Sequence, residues 1–319
     1  MSRPTISIVL PVYNEVDAIR PVYEGVRDVL VEAGYDYEFV FANDGSVDGS
    51  EAAISALHAS DDRVKLVSLS RNFGQQVAVT SGLEYASGDA VILMDCDMQD
   101  DPKAIPEFLD HWEQGYDVVY ALRSERQESL FRRMAFKSFH RINHLLSDIR
   151  MPADAGLFCL MSRRVVLEMG RLQERNRYLP GMRFWVGFKQ TGIRVRRLGR
   201  YDDVSRVSLS RLMILSLDSL VSHSKVPLRC VTLLGLLMFC VATGVASYVF
   251  YSKFISLEAI PGWASEVGLI LFFGGFQFIV LGVLGEYLAR IYDEVKMRPL
   301  YVVASTLGSF ARRERKEPS

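Results

Sequence analysis

Apolar runs alternate with segments of helical period through the first part of the chain, from Thr5 to Ala121. Five short runs have the composition and length of strands: ISIVLPVY, YEFVFAN, VKLVSLS, AVILMD and DVVYAL. The segments between them repeat apolar residues at helical spacing, over Ala18–Val31, Ala52–Ala59 and Gln75–Tyr85. Because strands that alternate with helices form βαβ units, the pattern predicts an α/β domain with a Rossmann-like, mostly parallel sheet.

Polar residues follow the predicted strands. They are Tyr13, Asn14 and Glu15 after the first strand, Asn43 to Ser46 after the second, Arg71 and Asn72 after the third, and Asp95 and Asp97 after the fourth. Open parallel sheets bind their ligands beyond the carboxyl ends of the strands, so we expect these residues to meet in one site. The chain contains neither the GxGxxG fingerprint of dinucleotide-binding folds nor a P-loop.

Two later apolar runs predict membrane spans. Val231–Tyr251 and Val267–Gly285 contain no charged residue, and each is close to the ~20 residues that a spanning helix needs. Basic residues precede the first run and follow the second, whereas Lys253 is the single basic residue of the linker between them. The positive-inside rule therefore predicts that both termini are cytoplasmic and that the loop between the spans is external.

These patterns divide the 319 residues into four parts. We expect a cytosolic α/β domain over residues 1–201, a juxtamembrane amphipathic segment over 202–229, a transmembrane hairpin over 230–289 and a cytosolic basic tail over 290–319. The hydrophobic content of 49% beside 24% charged residues fits a soluble domain joined to membrane spans. The four cysteines lack a CxxC spacing, which indicates free thiols in a reducing compartment. A net charge of −1 gives no general attraction to nucleic acid, which is not an expected partner.

The stretch VILMDCDMQDD places four carboxylates within seven positions directly after an apolar strand. Such carboxylates repel one another, so the cluster is either a solvated loop or is neutralised by a cation. Asp95 and Asp97 lie two residues apart and offer hard oxygen ligands, which favour Mg²⁺ or Mn²⁺ over zinc. Asp100 and Asp101 lead into a helix predicted to start near Pro102, where acidic side chains favour the helix N-terminus. We expect these last two residues to be structural.

An ordered set of motifs resembles the family 2 glycosyltransferases of GT-A fold. The motifs are SIVLPVYNE, FANDGSVDGS, LSRNFGQQVAVTSGL, MDCDMQDDP, GYDVVYALR and VLGEYLARIYDEVKMRPLYVV, and they extend over nearly the whole chain. The resemblance is greatest to the polyprenyl-phosphate subgroup, which includes bactoprenol glucosyltransferases and dolichyl-phosphate mannose synthases. It implies an inverting, metal-dependent transfer of a hexose from a nucleotide sugar to polyprenyl phosphate. UDP-glucose is the favoured donor, with GDP-mannose as the alternative, and a bacterial inner membrane is the expected location.

The resemblance also implies roles for individual residues. Pro11, Tyr13 and Glu15 would line the nucleoside pocket, and Asp44 would contact the base or the ribose. Asp97 and Gln99 would be the closer metal ligands, with Asp95 near the ribose and the metal. Arg123 would reach a phosphate. Taken singly, each also has an ordinary structural explanation, such as strand-end packing for Pro11 or a turn for Asp44. Their occurrence together favours the functional interpretation.

The chain departs from its relatives in DAGLFCLMSRR, residues 154–164. Bactoprenol-type relatives usually contain Gly-Asp-Phe-Arg there, whereas here Leu157 follows Gly156 and Cys159 stands at the arginine position. An apolar residue after the glycine is closer to the mannose-synthase branch. A phosphate monoester with a second pKa near ~6 is already an anionic nucleophile, so no general base is needed. Asp154 would orient the donor sugar or form a turn.

Further stretches suggest contact with the membrane. Leu130–Ile149 and Leu209–Val221 have the profile of helices that lie on a membrane surface, although a solvated helix on the sheet would fit the first. In YDDVSRVSLSRL, Asp203 replaces the glycine that is usual in the family and Arg206 the lysine, so the positive charge is retained. His140 and His144 have metal-ligand spacing but no evident third ligand.

Two other functions and an assembly remain open from the sequence. A processive polysaccharide synthase would need a QxxRW element, and GMRFWVGFKQ lacks it. A catalytically inactive membrane scaffold, or a partner of a flippase, is the other alternative. Whether the chain forms a homo-oligomer is also left open by the sequence.

Overall fold

A computed structural model of the protein describes residues 3–124, 152, 155–172, 174–175, 177–196 and 262–310, and scattered positions between 231 and 251. The predicted interfacial helices, His140 and His144, and the loop around Asp203 lie outside the described residues. The chain forms two units. The first comprises residues 1–140, 149–206 and 298–319, and the second comprises residues 141–148 and 207–297.

The first unit contains an eight-stranded sheet. Its strands are β1 Thr5–Val12, β2 Asp36–Asn43, β3 Val64–Leu69, β4 Ala90–Leu93, β5 Val118–Ser124, β6 Ala155–Ser162, β7 Gln190–Arg196 and β8 Val303–Leu307. All five strands that the sequence predicts are present. The three later strands carried no clear period in the sequence.

The strand order is β7-β5-β6-β4-β1-β2-β3-β8. Strands β1 to β4 pair in parallel, as the βαβ pattern predicts. Strand β6 runs antiparallel to both β4 and β5, and β8 runs antiparallel to β3. The prediction of a Rossmann-like, GT-A-type sheet is thus confirmed, with a parallel centre and mixed flanks.

Helices cover both faces of this sheet. They are α1 Val16–Glu32, α2 Ser50–Ser60, α3 Gln75–Tyr85, α4 Ile105–Glu113, α5 Arg163–Arg171 and α6 Leu179–Trp185, with a 3₁₀ turn at Pro102–Ala104. One apolar core lies between the sheet and helices α1, α2 and α4. A second core lies between the sheet and helices α3, α5 and α6. Because alternate side chains of each strand enter opposite cores, the central strands are apolar on both faces.

The end of the chain differs from the predicted basic tail over residues 290–319. Residues 303–307 form β8, which pairs with β3 and covers an edge of the sheet. Tyr301 donates a hydrogen bond to Glu84 of α3 at 2.6 Å, and the ring of Phe310 packs against that of Tyr85 at 4.8 Å. The described residues 298–310 therefore belong to the first unit, and strand β8 lies within the segment that the sequence analysis describes as a basic tail. The strand alternation is too short here to be recognised in the sequence.

One helix of the second unit has the properties of a membrane span. Helix α7, Trp263–Val295, contains the candidate span Phe272–Val295, whose mean hydropathy is 1.5. The most apolar part of this span is not buried against the rest of the protein. It is the single candidate span among the described residues. The described positions between 231 and 251 are helical, but the rest of the first predicted span lies outside the description. One of the two predicted spans is therefore described as a helix of suitable length.

A buried ion pair joins three neighbouring strands away from the carboxyl ends. Glu38 of β2 is 4% exposed and accepts a hydrogen bond from Lys65 Nζ of β3 at 2.7 Å. Ser7 of β1 and Ser87 also donate to this carboxylate. Burial alone would raise the pKa of Glu38, but the donors outweigh it and leave the pKa lowered. Its ionised form therefore stabilises the fold.

The first prediction concerns this pair. Lys65→Met should lower the free energy of unfolding by about 3 kcal/mol, because it leaves a buried carboxylate without its cation. Combining it with Glu38→Gln should restore much of that loss.

The ion pair should also make stability depend on pH. Because the folded pKa of Glu38 is lowered, the stabilisation is present above the unfolded pKa of about 4.3 and is lost as the pH falls through the folded pKa. Thermal unfolding of the full chain in detergent between pH 3 and 7 measures both effects. Equal losses in the single and double variants would contradict the prediction.

Candidate active site

The loops after β1 and β2 are joined by hydrogen bonds. The backbone N–H of Asn14 donates to Ser46 Oγ at 3.0 Å, and the N–H of Val47 donates to Asn14 Oδ1 at 2.9 Å. Ser46 N–H in turn donates to Asn43 Oδ1 at 3.0 Å. Asn14 has a φ of 55°, a left-handed conformation that asparagine tolerates better than most residues. The two strand ends therefore present one connected surface.

Asp44 joins the loop after β2 to the loop after β3. Its side chain accepts hydrogen bonds from the backbone N–H of Phe73 at 2.7 Å and of Gly74 at 2.9 Å, one on each oxygen. The residue is 3% exposed, and burial raises its pKa although both N–H donors and Arg71 act in the opposite direction. The structure thus gives Asp44 a role in holding the loop. Its predicted contact with a base or ribose remains a prediction.

Gly45 allows these two loops to approach each other closely. Its φ is +70°, and a Cβ built on it would lie 2.6 Å from the carbonyl carbon of Arg71. Only glycine fits a position that combines a left-handed backbone with such close contact to another main chain. The glycine of NDGS is therefore required by the geometry of the site.

The acidic loop follows β4 and is held from α3. Gln75, the first residue of that helix, donates from Nε2 to Asp95 Oδ1 at 2.7 Å. Asp97 Oδ1 accepts from the backbone N–H of Gln99 at 3.1 Å, across a tight turn in which Met98 has a φ of 59°. Asp95 and Asp97 are half-buried, whereas Gln99 is buried. The two carboxylates are thus oriented by neighbours and still reach the surface.

The other two aspartates of the loop have structural roles, as predicted. Asp100 Oδ2 accepts from the backbone N–H of Asp95 at 3.3 Å. Asp101 Oδ1 accepts from the backbone N–H of Lys103 at 3.0 Å and caps the 3₁₀ turn that begins at Pro102. The first bond fixes the start of the acidic loop, and the second fixes its end.

Glu15 lies near the acidic loop. Burial raises the pKa of the Cys96 thiol, and the charges of Glu15, Asp97 and Asp95 raise it further. All three carboxylates are therefore within electrostatic range of one buried atom. A thiol in this environment stays protonated, so Cys96 is a packing residue rather than a nucleophile. Cys159 is likewise a buried free thiol and Cys240 an exposed one.

The remaining nucleoside-pocket residues lie at the end of β1. Pro11 is half-buried and pairs in register with Ala42 of β2. Tyr13 is 49% exposed, so its ring is accessible to a ligand. Glu15 is held through its backbone N–H, which donates to Ser50 Oγ at 3.2 Å. The predicted pocket residues are thus adjacent to one another beside the acidic loop.

The side chains of three predicted catalytic residues lie outside the described part of the chain. Arg123 lies in β5 opposite Val195 of β7, but its side chain is outside the described part of the chain. Asp154 and Arg206 lie outside the described residues altogether. Their proposed contacts with phosphate and sugar remain predictions.

The structure adds residues that the sequence analysis did not single out. Gln75 contacts Asp95 directly, and Gln76 Oε1 accepts the N–H of Leu179 at the start of α6 at 2.9 Å. Both lie within the motif LSRNFGQQVAVTSGL. Their position at the first turn of a helix that follows a strand end was the available signal.

The acidic loop offers oxygen ligands for a cation. Asp95, Asp97 and Gln99 would supply two carboxylates and an amide. The described residues contain no cluster of three or more His, Cys, Asp or Glu side chains that would form a protein-only metal site. Mg²⁺ is commonly bound by one or two carboxylates together with substrate phosphates. The donor set therefore fits a Mg²⁺ or Mn²⁺ ion whose coordination is completed by a diphosphate.

Comparison with known proteins agrees with this site. The family Glycosyl transferase family 2 matches residues 7–170. An uncharacterised glycosyltransferase of Bacillus subtilis, YkcC, is 40% identical over 303 residues, which is 95% of this chain and 94% of that protein. The bactoprenol glucosyl transferase of Shigella phage SfII is 38% identical over 299 residues, 93% of this chain and 97% of that protein. The similarity thus extends well beyond the sheet domain.

Among solved structures, the chain is similar to glucosyl-3-phosphoglycerate synthase from Mycobacterium tuberculosis. The identity is 20% and the TM-score 0.46, over 68% of this chain and 78% of that one. The family match and the relatives that align over nearly the whole chain establish the family. The chain belongs to the family 2 glycosyltransferases, in the subgroup that includes the bactoprenol glucosyl transferases.

Proposed function

We propose that the protein transfers glucose from UDP-glucose to polyprenyl phosphate at a membrane. The observation that carries the proposal is the match to bactoprenol glucosyl transferases over 93% of this chain, through the site loops and the apolar segments alike. A family match confined to the sheet would leave the acceptor open.

The donor would bind across the carboxyl ends of β1 to β4. Tyr13 offers an exposed ring to the nucleoside, and Asp44 with Gly45 keeps two of the loops in contact. Asp95 and Asp97 would hold Mg²⁺ or Mn²⁺ together with Gln99. A bound ion of this kind supplies positive charge that stabilises a departing diphosphate. Gln75 keeps the Asp95 carboxylate oriented.

The acceptor chemistry needs little from the protein beyond alignment. A phosphate oxygen of the acceptor attacks the anomeric carbon, the bond to the nucleoside diphosphate breaks, and an in-line approach inverts the configuration. The acceptor phosphate is ionised near neutral pH because its second pKa is about 6, so no side chain has to remove a proton. Arg123 and Arg206 would pair with phosphate oxygens. Leu157 in place of an acid is then tolerable.

Strand β8 bears on the membrane topology. It follows α7 in the chain and pairs with β3, so the chain rejoins the sheet after the candidate span. A chain that leaves one side of a membrane and returns to it crosses an even number of times. This supports a second span at residues 231–251 and a location of both parts of the sheet on one side of the membrane. The basic flanks of the two apolar runs favour the cytoplasmic side, where nucleotide sugars are available.

A mannosyltransferase is the second candidate. Leu157 after Gly156 is the feature that favours it, because an apolar residue at this position is closer to the mannose-synthase branch. GDP-mannose would then be the donor and a polyprenyl phosphate still the acceptor. Incubating the purified full chain with polyprenyl phosphate and a panel of nucleotide sugars separates the two, with the glycolipid identified by mass. Absence of any glycolipid would leave the inactive scaffold as the better account.

The second prediction concerns the cation. Asp97→Asn should lower Mg²⁺- or Mn²⁺-dependent transfer by about a hundredfold or more, because a contact worth several kcal/mol to the leaving group is lost. Asp101→Asn is the matched control: it makes the same chemical change in the same loop at a helix cap, and should lower stability by about 1 kcal/mol with little effect on rate. A near-normal rate of Asp97→Asn in EDTA would rule out the metal assignment.

The third prediction concerns topology. In a chain whose four native cysteines are replaced by alanine, Ala259→Cys should react with an impermeant thiol reagent applied to intact cells, and Ser309→Cys should not. Both should react after the cells are permeabilised, which controls for accessibility. Labelling of position 309 but not of position 259 in intact cells would contradict the prediction, because it would place the candidate active site outside the cell, away from the cytoplasmic nucleotide sugars.

The fourth prediction concerns the acceptor. Asp154→Asn should slow transfer by less than about tenfold, because an ionised phosphate needs no base. Arg123→Ala or Arg206→Ala should cost about a hundredfold, because each leaves a phosphate without a charge-assisted partner. Rates at saturating donor, with unchanged melting temperatures, test the comparison. If Asp154→Asn alone abolishes turnover, a hydroxyl acceptor with an aspartate base becomes the better account.

A further inference from the structure

One arginine among the described residues is buried in the core. Arg183 of α6 is 2% exposed and is the largest fully buried side chain among the described residues. Its neighbours belong to the apolar core between the sheet and helices α3, α5 and α6. Removing a guanidinium from water is costly unless hydrogen bonds and charges compensate it, so a position like this one requires a reason.

The guanidinium of Arg183 is held by the strand that flanks the acidic loop. Its Nη2 donates to the carbonyl oxygen of Gly156 at 3.2 Å. The rings of Tyr120 and Phe184 lie 5.2 Å and 5.5 Å from its Cζ, within the range of cation–π attraction. Its Nε has no hydrogen-bond partner among the described residues. The geometry therefore orients the charge toward the start of β6 without fully satisfying the side chain.

The start of β6 lies beside the acidic loop. Strand β6 is antiparallel to β4, and Cys159 pairs in register with Leu93, two residues before Asp95. Residues that precede Cys159 thus lie toward the end of β4 at which the acidic loop begins. Burial raises the pKa of Cys159, the charge and hydrogen bond of Arg183 lower it, and the charge of Asp100 raises it. Arg183 and Asp100 therefore act on the same thiol.

We propose that Arg183 is a positioning residue. Its buried charge offsets the acidic loop, and its bond to Gly156 holds the start of β6 for binding of the donor diphosphate. The inference rests on the proposed nucleotide-sugar site.

A guanidinium suits this role because it stays ionised at every pH at which the protein is folded. Four carboxylates and an incoming diphosphate are all negative, so a fixed cation behind the loop reduces their mutual repulsion before any ion binds. If Arg183 only stabilised the fold, replacing it would lower the melting temperature and leave nucleotide binding unchanged. A positioning role predicts the opposite, because replacement of a buried ion by an apolar residue of similar volume is often neutral or stabilising for the fold.

The test uses the full chain in detergent and measures UDP and GDP binding by calorimetry in MgCl₂, donor kcat/KM, and melting temperature. Arg183→Met should weaken nucleotide binding by about tenfold or more, with a melting temperature equal to or above that of the natural chain. Arg183→Leu combined with Cys159→Arg should recover most of the affinity, because it moves the cation to the strand. Arg194→Met, at an exposed arginine of β7, is the matched control and should bind as the natural chain does.

Nucleotide affinity of folded Arg183→Met within twofold of the natural chain would overturn the proposal, and so would a double variant that binds no better than Arg183→Leu alone. If Arg183→Met does not fold, the proposal is tested with Arg183→Lys and with the double variant. Both should bind nucleotide with an affinity within about fivefold of that of the natural chain. Weaker binding by either variant overturns the proposal. A natural chain that binds nucleotide but makes no glycolipid contradicts the proposed function alone, because the binding measurements are independent of transfer.

Discussion

Mutual repulsion among the carboxylates at the end of β4 is the constraint on which the site depends. Asp95 and Asp97 must lie close together to bind one cation, and the neighbouring Asp100 and Asp101 add to the negative charge. The structure meets this constraint with directional hydrogen bonds. Gln75 donates to Asp95, backbone N–H groups donate to Asp97 and Asp101, and Asp100 accepts the N–H of Asp95. Oriented donors of this kind stabilise a carboxylate without neutralising it.

The same logic extends to the loops around the acidic loop. Asn14 and Ser46 join the first two strand ends, and Asp44 joins the second to the third. Gln75 continues the series to the fourth. Four loops from separate strands are thus linked by short polar contacts over a rigid parallel sheet. A site that binds a flexible nucleotide sugar benefits from such preorganisation, because less ordering is left for the binding step.

The closing strand gives the fold a second constraint. Because β8 pairs with β3 after the long apolar helix, the two ends of the chain share one sheet. The contacts of Tyr301 with Glu84 and of Phe310 with Tyr85 attach this segment to α3, the helix that also carries Gln75. The segment that contains the candidate span, residues 207–297, is therefore inserted in the chain between two pieces of the first unit.

Much of this could be derived from the sequence. Apolar runs of strand length predicted β1 to β5, and the helical spacing of apolar residues predicted the extent of α3, because each pattern covers a full element. The sequence also predicted that the polar residues after parallel strands meet at one edge of the sheet, and the loops that carry them are joined there by hydrogen bonds. Local signals also sufficed for the helix cap at Asp101.

Only the tertiary structure decided the remaining features, because each depends on residues far apart in the chain. Nothing local to Asp44 indicates that the backbone of residues 73 and 74 will occupy its oxygens. Residues 303–307 are too few and too mixed in character to predict a strand, and it is the open edge of β3 that makes them one. Arg183 looks like a surface residue of a short amphipathic segment until the sheet folds and α6 packs against it, which buries the guanidinium against Gly156. The sequence determined the elements through local periodicity, and the tertiary structure decided which distant partners satisfy their polar groups.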